Sequence, residues 1–104
     1  MTAMNVVHMR VKPGKEAEFM AMHRTVDPAS MKGGRNLWVL KTGERSYCLV
    51  GEWDSMDALA SSRPEMIATL DKLRPLLEDL GGGRGLTEPY SGEVEFHSRL
   101  NKRS

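Results

Sequence analysis

Leu37-Trp38-Val39-Leu40-Lys41-Thr42-Gly43-Glu44-Arg45-Ser46-Tyr47-Cys48-Leu49-Val50 contains two β-rich runs joined through Thr42-Gly43-Glu44-Arg45. Branched and aromatic side chains suit a pleated, half-buried surface, and a short glycine-bearing link between two such runs makes a hairpin. The second run is apolar on both sides, with Tyr47 and Leu49 on one and Cys48 and Val50 on the other. Because side chains alternate across a strand, water on either face is the least favourable surrounding for this one.

Toward the N-terminus, Met4 to Val11 reads as a strand carrying Val6, Val7, Met9 and Val11, and it stops at the turn signal Lys12-Pro13-Gly14. Lys15 to Asp27 has no Gly or Pro, and Phe19, Met22 and Val26 fall at helical spacing. Asp27-Pro28 ends that helix, since a residue before proline is pushed out of the α region. A loop with Gly33-Gly34 leads into the hairpin.

Toward the C-terminus, Asp54-Ser55-Met56-Asp57 reads as a helix start with Asp54 or Ser55 as the cap, followed by a short helix over Met56 to Ser61. Pro64 opens a second helix, where its missing N–H costs nothing. Met66, Ile67, Leu70, Leu73, Leu76, Leu77 and Leu80 form its apolar stripe, and Pro75 predicts a kink there or a break just before it. Gly81-Gly82-Gly83 stops the helix. After a long loop through Gly92, Glu93 to His97 reads as the last strand, alternating Val94 and Phe96 with Glu93, Glu95 and His97.

The order is strand, helix, hairpin, helix, strand. It predicts an α+β, ferredoxin-like βαββαβ fold with a four-stranded antiparallel sheet and helices on one face. Residues 1–98 form the domain and 99–104 a basic tail. At 104 residues the chain has room for one domain. A chain of this size buries only about 60–70% of its unfolded surface, so association with a second copy would help it. Fifteen basic residues against fourteen acidic leave a net charge of +1, which offers no bulk attraction to nucleic acid. Cys48 is the single cysteine, which excludes an internal disulfide. No signal peptide is visible, and no apolar run approaches the roughly 18–20 residues that span a bilayer, so a cytoplasmic location away from membranes is expected.

Alternation places Val7, Met9 and Val11 on one face of the first strand and Val6, His8 and Arg10 on the other. With first and last strands as neighbours, His8, Arg10, Glu95 and His97 are expected to gather on the face away from the helices, joined by Glu52. That mixed face suits a homodimer interface enclosing a cavity.

Val11-Lys12-Pro13-Gly14-Lys15 before the first helix and Gly51-Glu52-Trp53-Asp54-Ser55-Met56-Asp57-Ala58-Leu59 after the third strand carry a resemblance. In that order, over about Met4 to His97, the chain resembles the antibiotic biosynthesis monooxygenase superfamily of dimeric α+β barrels. The resemblance implies a substrate cleft between sheet and helices, and oxidation that rests on the substrate's own readily oxidised ring, with no cofactor. The superfamily includes oxygenases of polycyclic phenols and quinols, haem-degrading enzymes, and members with no established reaction. The haem-degrading branch uses a histidine on the second helical segment, whereas Met56 to Leu80 has neither His nor Trp, which weighs against haem breakdown. Trp53 is the residue carried over by its local motif.

The catalytic candidates are therefore His8 or His97 as a base near neutral pH, with Arg10 polarising a ligand. Trp38, Tyr47 and Trp53 are candidates to stack on an aromatic molecule, and Met66 is the candidate among eight methionines. His23 reads as a surface or boundary residue. His8, Glu95 and His97 have the chemistry of metal ligands, but their spacing matches no ligand motif and no metal is expected. Gly81 to Gly85 follows a helix and lacks P-loop Lys and Ser/Thr, so it reads as a helix stop. The loop through Pro89-Tyr90 is long enough to reach a neighbour. Two readings follow: a cofactor-independent monooxygenase-like protein binding a small aromatic or quinol-type molecule, or a non-catalytic dimeric ligand-binding or scaffold module.

Overall fold

The sheet is organised around β1 (Ala3–Val11), which pairs antiparallel with β3 (Ser46–Trp53) on one side and with β5 (Thr87–Glu93) on the other. The computed structural model describes residues 1–26 and 31–101. β2 (Gly34–Gly43) completes the hairpin with β3, and the two-residue β4 (Leu77–Glu78) shares the second side of β1, pairing with Arg10 and Val11. The helices are α1 (Glu16–His23), α2 (Met56–Ser61) and α3 (Arg63–Leu73). The α+β, ferredoxin-like fold expected from the sequence is thus present, with five strands where four were expected.

Local chemistry accounts for most boundaries. Ser55 Oγ accepts the Ala58 N–H at 3.0 Å, capping α2. Pro64 sits in the first turn of α3. Pro75 has no N–H to continue the ladder, so α3 ends at Leu73 and a 3₁₀ turn covers Arg74–Leu76. The break just before Pro75 is the one the sequence predicts; Leu76 and Leu77 then enter the core from that turn and from β4. α1 stops at His23, and the expected stop at Asp27-Pro28 lies outside the described residues.

The hairpin turn places Arg45 at φ +58°. Left-handed backbone costs an L-residue about 1–2 kcal/mol. Arg45 is held there by its neighbours: its carbonyl accepts from Val11 N at 2.7 Å, and its guanidinium donates to Val11 O at 3.0 Å and Glu78 Oε1 at 2.6 Å.

The last strand differs from expectation. β5 is Thr87–Glu93, with Val6 opposite Tyr90 and His8 opposite Glu88. Pro89 is tolerated because β5 is an edge strand, where an N–H facing outward needs no partner. Glu95 and His97 therefore lie beyond the sheet and exposed, and Glu88 takes the place beside His8.

Candidate functional site

The helix-facing side of β1 presents Ala3, Asn5, Val7, Met9 and Val11, and that of β3 presents Tyr47, Leu49, Gly51 and Trp53. At one end, Met9, Val11, Phe19, Tyr47, Leu73, Leu76 and Leu77 pack into a closed core. At the other, Ala3, Trp53 and Leu59 form a second cluster. Between the two, Asn5 and Gly51 supply little side-chain volume, and a cleft of about 450 Å³ opens. Val7, Leu37, Leu49, Met31, Trp53 and Met66 contribute its apolar walls. A second lobe of about 290 Å³ runs toward α3 and β5, sharing Asn5, Val7 and Met66 with the first.

The polar groups of the cleft are few. Trp53 Nε1–H donates to Asn5 Oδ1 at 2.8 Å. This pair closes over Gly51, where a Cβ would stand 2.4 Å from Asn5 Oδ1 and 2.9 Å from Trp53 Nε1. Asn5 Nδ2 has Met66 Sδ at 3.9 Å, a weak acceptor. Arg35 borders the cleft and is neutralised by Asp54 at 2.6 Å, with Thr2 Oγ1 accepting a further bond at 3.1 Å.

His23, at the end of α1, also lines the cleft. Its Nδ1 lies 2.9 Å from the Phe19 carbonyl, which can only accept, so Nδ1 carries the proton. Nε2 is buried and has no hydrogen-bond partner among the described residues. Burial pushes the imidazole pKa below its ordinary 6.5, opposed by the backbone bond to Phe19. The ring packs edge-on against Phe19, with centroids 4.6 Å apart.

The sequence candidates separate. Trp53 and Met66 line the cleft, while Tyr47 is buried in the core against Phe19. Register places His8, Arg10 and Trp38 on the helix-free face with Cys48, Val50 and Tyr90. There His8 Nε2 lies 2.9 Å from Ser46 Oγ, and its Nδ1 is 4.0 Å from Glu88 Oε1. His97 lies past β5, so it joins neither group. Among the described residues no cluster of three or more His, Cys, Asp or Glu forms a metal-ligand set.

Reading the sequence did not single out Asn5 or Gly51, and it took His23 for a surface or boundary residue. Their signals were a polar residue in the inward register of β1, a histidine four residues after core Phe19, and a glycine inside a strand.

The backbone that holds this cleft recurs in solved structures. A Chloroflexus aurantiacus J-10-fl protein that bears the antibiotic biosynthesis monooxygenase name superposes with a TM-score of 0.68 at 18% identity, covering 97% of this chain and 100% of the other. This chain has the antibiotic biosynthesis monooxygenase fold. SnoaB, a cofactor-independent oxygenase from Streptomyces nogalater, matches with a TM-score of 0.67 at 19% identity over 99% of this chain and 98% of its own. A conserved protein from Methanosarcina mazei Go1 reaches 0.72 at 18% identity, covering 89% of this chain and 92% of the other. No protein-family model matches the sequence, and no curated protein matches it significantly. At these identities the likeness is one of fold, and function has to be argued from the site. Among the described residues no helix is long and apolar enough to cross a membrane.

Proposed function

We propose that this chain is a cofactor-independent monooxygenase-like protein that holds a small aromatic, quinol-type molecule between sheet and helices. The observation that carries the reading is the cleft itself: apolar walls around the hydrogen-bonded Asn5–Trp53 pair. Few, fixed polar groups in an apolar concavity are the usual makeup of a small-molecule site, and about 450 Å³ lies within the usual range. Val7, Leu49 and Met66 would flank the ring and exclude water. Trp53 is oriented by Asn5 Oδ1, which leaves Asn5 Nδ2 to donate to a ligand oxygen as charge develops there. The ligand supplies the electrons: one atom of dioxygen enters a ring C–H carbon as a carbonyl, and the other leaves as water with the hydrogen of that carbon and the hydrogen of the ring hydroxyl, which becomes the second carbonyl. SnoaB, which shares the fold, is named as a cofactor-independent oxygenase.

The reading includes a homodimer formed through the helix-free face. Trp38 and Leu40 are 44% and 48% exposed there, and Tyr90 is 65% exposed. His8 and Arg10, on that face, are assigned to contacts across the interface, and His97 to the exposed segment beside it. The rival reading, a dimeric module without chemistry, requires every polar group near the ligand site to be consumed. Asn5 Nδ2, whose acceptor among the described residues is the weak Met66 Sδ at 3.9 Å, weighs against it.

The test is oxygen uptake with a panel of two- and three-ring quinols. Protein-dependent uptake that is lost when Met66→Trp fills the cleft is expected. Uptake equal to that of buffer alone across the panel would overturn the reading.

A further inference from the structure

We propose that the second lobe seats an acidic substituent of the ligand, a carboxylate held by Arg63 and Ser91, which makes the ligand an aromatic acid and not a neutral ring. The inference rests on the proposed function above and deepens it, by naming the charged group of the molecule and the residues that receive it.

Asn5, Val7 and Met66 line both lobes, so a molecule whose ring lies in the first reaches the second past them. The second lobe is otherwise walled by apolar residues such as Leu59, Leu70 and Pro89, and Arg63 is the one Arg, Lys, Asp or Glu in its lining. Arg63 Nη2 donates from α3 to Ser91 Oγ on β5 at 3.5 Å, a long bond that holds the guanidinium weakly. Elsewhere Arg35, Arg45, Arg74 and Arg84 each form an ion pair with a carboxylate. Among the described residues Arg63 has no such partner. Glu65 and Glu93, the acids nearest in sequence to Arg63 and to Ser91, neither pair with it nor line the lobe. Arg35, the other arginine of the cleft, is occupied by Asp54 at 2.6 Å, so the uncompensated positive charge lies in the second lobe.

The chemistry of that charge selects its ligand. A guanidinium presents five N–H donors in a planar fork that matches the two oxygens of a carboxylate. Ser91 Oγ accepts the Arg63 bond and keeps its own hydrogen to donate to the same carboxylate. Arg63 and Ser91 are both exposed, so an anion between them retains part of its hydration and escapes most of the desolvation cost of a buried ion pair. The apolar first lobe takes the ring, and the rim of the second takes the acid. A neutral ring leaves the guanidinium to water and gains nothing from it.

The test compares 6-hydroxy-2-naphthoate with 6-hydroxy-2-naphthamide, which has the same rings and nearly the same shape but no charge. At low salt, calorimetry should show the wild-type protein binding the carboxylate about fivefold more tightly, the strength of an exposed ion pair. In Arg63→Gln the two affinities should come together. Equal affinities in the wild-type protein would overturn the inference and leave the cleft standing, because the amide reports the ring site by itself. A preference that persists in Arg63→Gln would overturn the role of Arg63. Failure of the wild-type protein to bind either probe would overturn the inference and the proposed function together. NMR of the wild-type protein needs no variant: the Arg63 Nε–H resonance should shift with the carboxylate and not with the amide, and equal shifts with both would overturn the assignment.

Discussion

Gly51→Ala places one methyl group where the Asn5–Trp53 pair closes over the sheet. The added Cβ would stand 2.4 Å from Asn5 Oδ1 and 2.9 Å from Trp53 Nε1, both far inside contact distance. The strand backbone itself favours alanine over glycine by about 0.5–1 kcal/mol, so any loss has to come from the clash. Displacing the Asn5 amide strands the indole N–H of Trp53, which is 5% exposed, at about 1–3 kcal/mol. Overpacking adds about 1–3 kcal/mol. The net expectation is a loss of about 2–3 kcal/mol, or roughly 10–20 °C in Tm for a domain of this size. Urea unfolding followed by tryptophan fluorescence measures it. The decisive comparison is the Asn5→Ala background, where the nearer of the two clashes is gone. There the cost of Gly51→Ala should fall by about 1–2 kcal/mol, the coupling expected of residues in contact. Additivity within about 0.5 kcal/mol would refute the seating of this pair over Gly51.

Stability should fall as pH drops below His23's ordinary pKa of 6.5. In that range the unfolded chain takes up a proton that the folded chain, with its depressed pKa, does not, and the loss ends once pH passes the folded value. His23→Gln should flatten this part of the curve in urea titrations at a series of pH values, and an unchanged slope would count against burial as the cause. On the helix-free face, Trp38→Glu should raise the dimer dissociation constant about 30-fold or more, as loss of an aromatic anchor does. Sedimentation would show this, and a wild-type protein that stays monomeric would remove the proposed interface.

The elements that were legible in the sequence are those with strong local chemistry. The apolar hairpin, the Ser55 cap and Pro64 each settle an element from neighbouring residues alone. β5 was misplaced because Thr87–Glu93 contains Pro89 and Gly92, which strand propensity disfavours, whereas Glu93 to His97 alternates well. Backbone pairing along β1, invisible in propensity, decides the matter. β4 was missed because the leucines after Pro75 also fit a helical stripe. The site was legible only in part. Trp53 and Met66, both named from the sequence, line the cleft, but alternation alone does not say which face carries it. His8 and Arg10 drew attention by chemistry and sit on the other side of the sheet from it. His23 read as a surface or boundary residue, since its burial depends on the packing against Phe19 and on its place in the cleft wall.

The central claim is that the helix-side cleft, and not the open sheet face, receives the aromatic ligand. Amide and indole NMR shifts on titrating 2-naphthol into the wild-type protein test it directly. The account predicts shifts concentrated at Asn5, Val7, Leu49, Gly51 and the Trp53 indole. Shifts confined to Trp38, Leu40 and Val50, or no shifts at all, would contradict it.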